Sequence, residues 1–250
     1  MNYKNSPEGL MNPATSPEQL RPSAAHMREL TLRGCEVARM AAAATTAGVS
    51  TGSADALDFI RGCEEELDGL DRQINEGVTA AIAGASESDA RELLSCLKYI
   101  LELERVGDLL LNVANRAPMV AGKIGDQDGA DLKRMAELLE QMLADALVAF
   151  RNRDLQRALA ILRADAEMDR LRNLLFVRHI DNPEKEPRHQ SFHLVFMTQT
   201  LERAGDHSKN LAEEVCHLVT GRSVRHLIRA ADKPFEEMFL DWMRRQSPGK

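Results

Sequence analysis

The segment Leu103-Glu104-Arg105-Val106-Gly107-Asp108, followed by Asn112 and Ala114, returns as Leu201-Glu202-Arg203-Ala204-Gly205-Asp206, followed by Asn210 and Ala212. A repeat at a fixed offset sets the size and number of the structural units, and here it reads as a duplication of a unit of about a hundred residues. Successive residues of a helix are turned by roughly 100°. On that geometry Glu104, Asp108 and Asn112 form one stripe, and Glu202, Asp206 and Asn210 repeat it. Leu103, Val106, Leu110, Val113 and Ala114 occupy the adjoining side of the first copy, so the acidic stripe borders the apolar face and is not covered by it.

Such a stripe is costly. Two like charges at i, i+4 cost a helix about 0.2–0.5 kcal/mol, and a mid-helix glycine costs roughly 1 kcal/mol relative to alanine. Both liabilities recur at matching positions, with Gly107 and Gly205 beside the acids. For a single copy, solvated acids beside a glycine that admits a neighbouring helix would be the simpler account. Two aligned copies with a shared Asn favour a site for a hard cation, because oxygen donors at a helix surface suit such ions.

Aromatic residues make up 4% of the chain against 44% hydrophobic residues overall, which points to cores built from aliphatic helix faces. The expected fold is all-α, two tandem pseudo-symmetric three-helix bundles. A net charge of −7, with acids spread along the chain, argues against bulk nucleic-acid binding. No apolar run reaches the length of about 18 residues that a membrane helix needs, and the N-terminal stretch lacks the apolar core of a secretory signal. The expected location is therefore the cytoplasm. Cys35, Cys63, Cys96 and Cys216 form no C-x-x-C pair and sit among apolar neighbours, so they read as reduced, buried thiols.

Residues 1–23, with Pro7, Pro13, Pro17 and Pro22, read as a disordered leader. The first unit, 24–122, is expected to hold helices over about 24–47, 54–83 and 88–117, with Asp55 capping the second and Ser86 or Ser88 the third. Pro118 and the glycine-rich 122–129 segment are expected to end it. The second unit, 123–221, is expected to hold helices over about 130–152, from the Asp154 cap to 180, and 187–220, with a turn at Asp181-Asn182-Pro183. Residues 222–250 read as a helical extension.

The middle helices correspond as well. Glu64-Glu65-Glu66-Leu67-Asp68 aligns with Asp165-Ala166-Glu167-Met168-Asp169, giving each unit a second acidic i, i+4 pair. In antiparallel neighbours Glu64 and Asp68 would face Glu104 and Asp108, and Asp165 and Asp169 would face Glu202 and Asp206. Carboxylates gathered at roughly 4–6 Å repel unless a cation stands between them. With 39 acidic residues such spacings arise by chance, so it is their recurrence in both units that carries weight.

A duplicated three-helix bundle with [DE]-x-x-x-D on the middle helix and E-R-x-G-D-x-x-x-N on the last resembles the PhoU family of bacterial phosphate-uptake regulators. The resemblance spans about residues 24–226 and includes Asp206-His207, Asn210 through Glu214, and Arg225-His226. It implies a cytoplasmic, homodimeric negative regulator of phosphate uptake and phosphate-starvation signalling, no enzyme, peripheral to the membrane through its partners only. Those partners would be the ATPase of the phosphate ABC transporter and the phosphate-sensing histidine kinase. It also implies metal binding, with Mg, Mn or Fe at Glu64, Asp68, Glu104 and Asp108, and at Asp165, Asp169, Glu202 and Asp206. Asn112, Asn210, His207 and Glu213 are the auxiliary candidates. The first copy carries Leu109 and Asn115 where the second has His207 and Glu213, which makes the second site the better supplied.

The alternative class is a carboxylate-bridged metalloenzyme or metal-storage bundle, suggested by Glu214-x-x-His217; it needs two such motifs, and the only other, Glu186 to His189, contains Pro187. An accessory protein of a low-affinity phosphate carrier is a third reading. In the tail, Arg225 and Arg229 share a helical face, and Phe235, Phe239 and Trp242 fall on an aromatic stripe that either docks on the bundle or meets a partner.

Overall fold

A computed structural model describes residues 23–49, 51–180 and 189–221. Among these residues the chain forms α1 (Ala24–Gly48), α2 (Ala54–Ala81), α3 (Glu87–Val120), α4 (Asp126–Asn152), α5 (Leu155–His179) and α6 (His189–Thr220), with a short 3-10 turn, Ile82–Gly84, after α2. The expected leader, the turn at Asp181-Asn182-Pro183 and the extension with Arg225, Arg229, Phe235, Phe239 and Trp242 lie outside the described residues.

Helix starts follow the capping chemistry, with two shifts from expectation. Ser23, Ser86 and Asp154 accept hydrogen bonds from the amides of His26 at 3.1 Å, Asp89 at 3.1 Å and Gln156 at 2.9 Å. The cap of α2 is Ser53, which accepts from the Ala56 amide, and not Asp55. Asp55 sits in the first turn, where a carboxylate still opposes the positive end of the helix dipole. α4 starts at Asp126, ahead of the expected 130, where its first two turns are tied down: His179 reaches Asp128 at 3.0 Å and Arg178 reaches Asp131 at 2.9 Å.

α3 runs through Pro118 instead of stopping there. Proline removes only its own N–H, and in the last turn the ladder resumes at once, with the Ala121 amide donating to Ala117 at 3.0 Å. The C-terminal residue of the α4 turn, Arg153, adopts φ 57°, an uncommon conformation for a residue with a Cβ. Its guanidinium lies over the Phe150 ring, 5.4 Å from the centroid, and pairs with Glu92 of α3, which holds the turn in place.

The repeats do not stand apart. α1 packs along α4 and α3 along α6, so the two three-helix units share one continuous core. α1 touches α2, α3 and α4 together, and its Ala38, Ala41 and Ala42 are fully buried, which accounts for the small residues of that helix. Tyr99 of α3 stacks at 4.4 Å on Phe150 of α4 and donates its hydroxyl to the Ala146 carbonyl at 3.0 Å. The four cysteines are buried free thiols. No helix of the described residues is long and apolar enough to cross a membrane.

Candidate metal centres

The motif glycine decides how close the acid-bearing helices come. A Cβ on Gly107 would lie 2.7 Å from Leu67 Cδ1 and 3.8 Å from the Glu64 Cα, so α2 lies directly against α3 at this point. That approach sets the Glu64 and Asp68 pair beside the Glu104 and Asp108 pair. Burial raises the Glu64 carboxyl above its usual range, reinforced by the charges of Asp68, Asp108 and Glu65. Burial likewise raises Glu104, helped by Asp108 and Asp68 and opposed in part by Arg105. Among the described residues no Lys or Arg forms an ion pair with any of these four carboxylates.

The second repeat places its acids in the same way, on α5 and α6, but fills the space between them. Lys209 Nζ lies 2.7 Å from Asp165 and 3.2 Å from Asp206. Arg172 lies 3.4 Å from Asp169 and 3.4 Å from Glu202. Asp165 and Glu202 are the inner members, with side chains 14% and 16% exposed, while Asp169 and Asp206 are 49% and 53% exposed. Burial raises both inner carboxyls; Lys209 pulls Asp165 back partway, and Arg172 does so for Glu202.

The sequence reading missed both cations. Their signal was present in the alignment of the repeats, since Arg172 stands opposite Asp71 and Lys209 opposite Leu111.

The auxiliary candidates point elsewhere. His207 Nδ1 lies 2.6 Å from the Glu102 carboxylate of α3, and the Asn210 amide donates to the same oxygen at 3.0 Å. Both side chains therefore bind the two repeats together. The residue after the motif Asp is rotated by roughly 100°, onto the side where the other repeat packs. Asn112 donates to the Asp108 backbone carbonyl one turn back. Glu213 lines a groove between α3 and α6 with Glu102, Asn210, Glu214 and His217. The second site is thus not the better supplied one. Glu214 is engaged there as well, by the Ser95 hydroxyl at 2.7 Å and Lys98 at 3.2 Å; Glu186, the other glutamate of the Glu-x-x-His reading, lies outside the described residues.

The donor chemistry of the first cluster suits a hard cation, being all carboxylate and carrying uncompensated negative charge. As the side chains stand, no three His, Cys, Asp or Glu among the described residues converge closely enough to hold an ion, so binding requires side-chain rotation.

The glycines differ between the repeats in a way that stability can read. At Gly205 a Cβ would meet Met168 Cγ at 3.4 Å, an ordinary contact. Gly205→Ala should therefore gain up to about 1 kcal/mol of helix propensity. Gly107→Ala should lose stability, because pressing on fully buried Leu67 costs about 1–3 kcal/mol, more than the propensity returns. Thermal melting of the two variants should move in opposite directions.

Two three-helix repeats fused through one core, each with an acid-lined seam between its middle and last helices, define a duplicated helical-bundle protein. The PhoU domain matches this chain at residues 34–117 and 132–215, and the chain belongs to the PhoU family. It is 31% identical over 68% of its length, and 73% of the relative's, to a phosphate-specific transport system accessory protein PhoU homolog of Xylella fastidiosa. A Rhizobium meliloti protein of the same description is 34% identical over 62% of this chain and 68% of its own. The fold is shared with PhoU from Pseudomonas aeruginosa (TM-score 0.71, 23% identity, 79% of this chain and 97% of that one). It is also shared with the phosphate transport system regulatory protein PhoU from Streptococcus pneumoniae (TM-score 0.73, 21% identity, 80% and 97%).

Proposed function

We propose that this chain is a cytoplasmic negative regulator of phosphate uptake and phosphate-starvation signalling, acting as a homodimeric adaptor between a phosphate ABC transporter ATPase and a phosphate-sensing histidine kinase. The observation that carries the reading is that the PhoU domain matches both repeats, in a chain whose relatives are named as accessory proteins of phosphate-specific transport. A binding role also fits the chemistry. The Cys96 and Cys216 thiols are pushed up to about 11 and about 12 by burial, which makes them poor nucleophiles at neutral pH.

Glu64, Asp68, Glu104 and Asp108 would hold a hard divalent cation such as Mg, Mn or ferrous iron. Bound there, the ion supplies charge neutralisation, and an acidic seam on the protein surface becomes one that an acidic partner can approach. Leu67 and Gly107 set the distance between the two helices that carry the carboxylates, and the shared core keeps the two repeats in fixed register for partner contact.

Deleting the gene in its source organism should raise a phosphate-starvation reporter to its starved level in phosphate-replete medium. The wild-type chain should restore repression, and the Glu104→Gln, Asp108→Asn double variant should restore it incompletely. A reporter that stays silent in the deletion strain would contradict the regulatory role.

A further inference from the structure

The two acid seams are alike in carboxylates and unlike in what spans them. In the second repeat each of the four carboxylates has a cation within 3.4 Å, and each cation reaches from α5 to α6: Lys209 joins Asp165 to Asp206, and Arg172 joins Asp169 to Glu202. These are the connections that a metal ion would otherwise make across the seam. In the first repeat the matching positions are Leu111 and Asp71, one apolar and one acidic, so charge is reversed at one and lost at the other. Asp71 also bears on Glu104, adding negative charge to a seam that already lacks a counter-ion.

We propose that Lys209 and Arg172 are built-in counter-cations that take the place of a metal ion in the second repeat, leaving one metal-responsive seam and one that is neutralised without metal. The first half of that division rests on the metal reading given above; the second rests on the ion-pair geometry alone. An ion entering the second seam would have to displace Lys209 from two carboxylates and then stand beside its ammonium group, and Arg172 bars the other end in the same way. Lys209 is suited to this, being a compact charge on a flexible stem, with its side chain 27% exposed and its donors directed at both helices. The duplication has thus kept the acids in both copies and changed what neutralises them. A partner meeting the second repeat sees the same charge whatever the metal supply, whereas one meeting the first repeat sees a charge set by metal occupancy.

The test is Mn(II) titration of the full chain, following free Mn(II) by electron paramagnetic resonance and thermal melting of each sample. Glu104→Gln with Asp108→Asn should lose the Mn(II) bound by wild type, while Glu202→Gln with Asp206→Asn should retain it. Lys209→Leu with Arg172→Asp, which installs the first repeat's residues, should bind an additional Mn(II), melt lower than wild type without it and recover with it. Loss of Mn(II) in the Glu202→Gln, Asp206→Asn variant would overturn the proposal, as would a folded Lys209→Leu, Arg172→Asp variant that gains none. Should that double variant fail to fold, Lys209→Leu alone is read by the same gain or absence of gain. If wild type takes up no Mn(II) yet the Lys209→Leu, Arg172→Asp variant does, the counter-cation role stands and the metal reading of the first repeat fails instead.

Discussion

Replacing Tyr99 with alanine should lower the unfolding free energy by about 3–5 kcal/mol, the cost of emptying a large aromatic site in a packed core. Tyr99 is fully buried where the two repeats meet, its ring against Phe150 and its hydroxyl on the Ala146 carbonyl. The cavity would open between α3 and α4, so the variant weakens the union of the repeats as well as one bundle. Tyr99→Phe separates packing from polarity. It keeps the ring and removes one hydrogen bond, and should cost only about 1 kcal/mol. Urea unfolding followed by circular dichroism measures both, and equal losses in the two variants would contradict the packing account.

A divalent cation should stabilise the chain strongly at neutral pH and weakly in acid. Burial, and then the charges of neighbouring acids, raise the folded pKa values of Glu64 and Glu104 above their unfolded ones. Such groups bind more protons folded than unfolded, so stability falls as pH rises through the raised values and returns as pH drops back. A cation at the first seam offsets this penalty where the carboxylates are charged. At a hundred times its Kd the linkage contributes about 2.7 kcal/mol. In a chain of this size that amounts to a Tm increase of about 5–10 °C.

As pH approaches the ordinary glutamate value of about 4.3, protons compete for the same oxygens and the increment should fall below half. Glu102 acts in the opposite sense. Burial pushes it up, but the hydrogen bonds of His207 and Asn210 hold it below its usual range, so it contributes stability at neutral pH that is lost as pH falls through its folded value. The difference between melts with and without Mn(II) removes that contribution and isolates the seam. An increment that does not change with pH, or that survives Glu104→Gln with Asp108→Asn, would contradict the assignment.

Much of this was legible in the sequence because it is periodic. The buried faces of α2 (Ile60, Cys63, Leu67, Leu70, Ile74) and α5 (Leu159, Leu162, Met168, Leu171, Leu175) are those that helical spacing picks out. The pairing of Glu64 and Asp68 with Glu104 and Asp108 follows from antiparallel neighbours in a repeat. What the spacing did not give depends on packing between the repeats. His207 looks like a ligand because it adjoins Asp206, but one step along a helix turns it toward α3 and Glu102. Pro118 looks like a stop, yet a proline so near the helix end removes too little to end it. Lys209 and Arg172 leave no mark in the shared motif, because they fall where the repeats differ, opposite Leu111 and Asp71.

The proposed adaptor role is tested most directly by affinity purification of the tagged full chain from phosphate-replete cells of its source organism. Mass spectrometry of the eluate and metal analysis should be made on the same sample. The account predicts enrichment of a phosphate transporter ATPase and a phosphate-sensing histidine kinase over an untagged control. Absence of both, with iron present far beyond what the carboxylates of one seam can hold, would contradict it and point to a metal store.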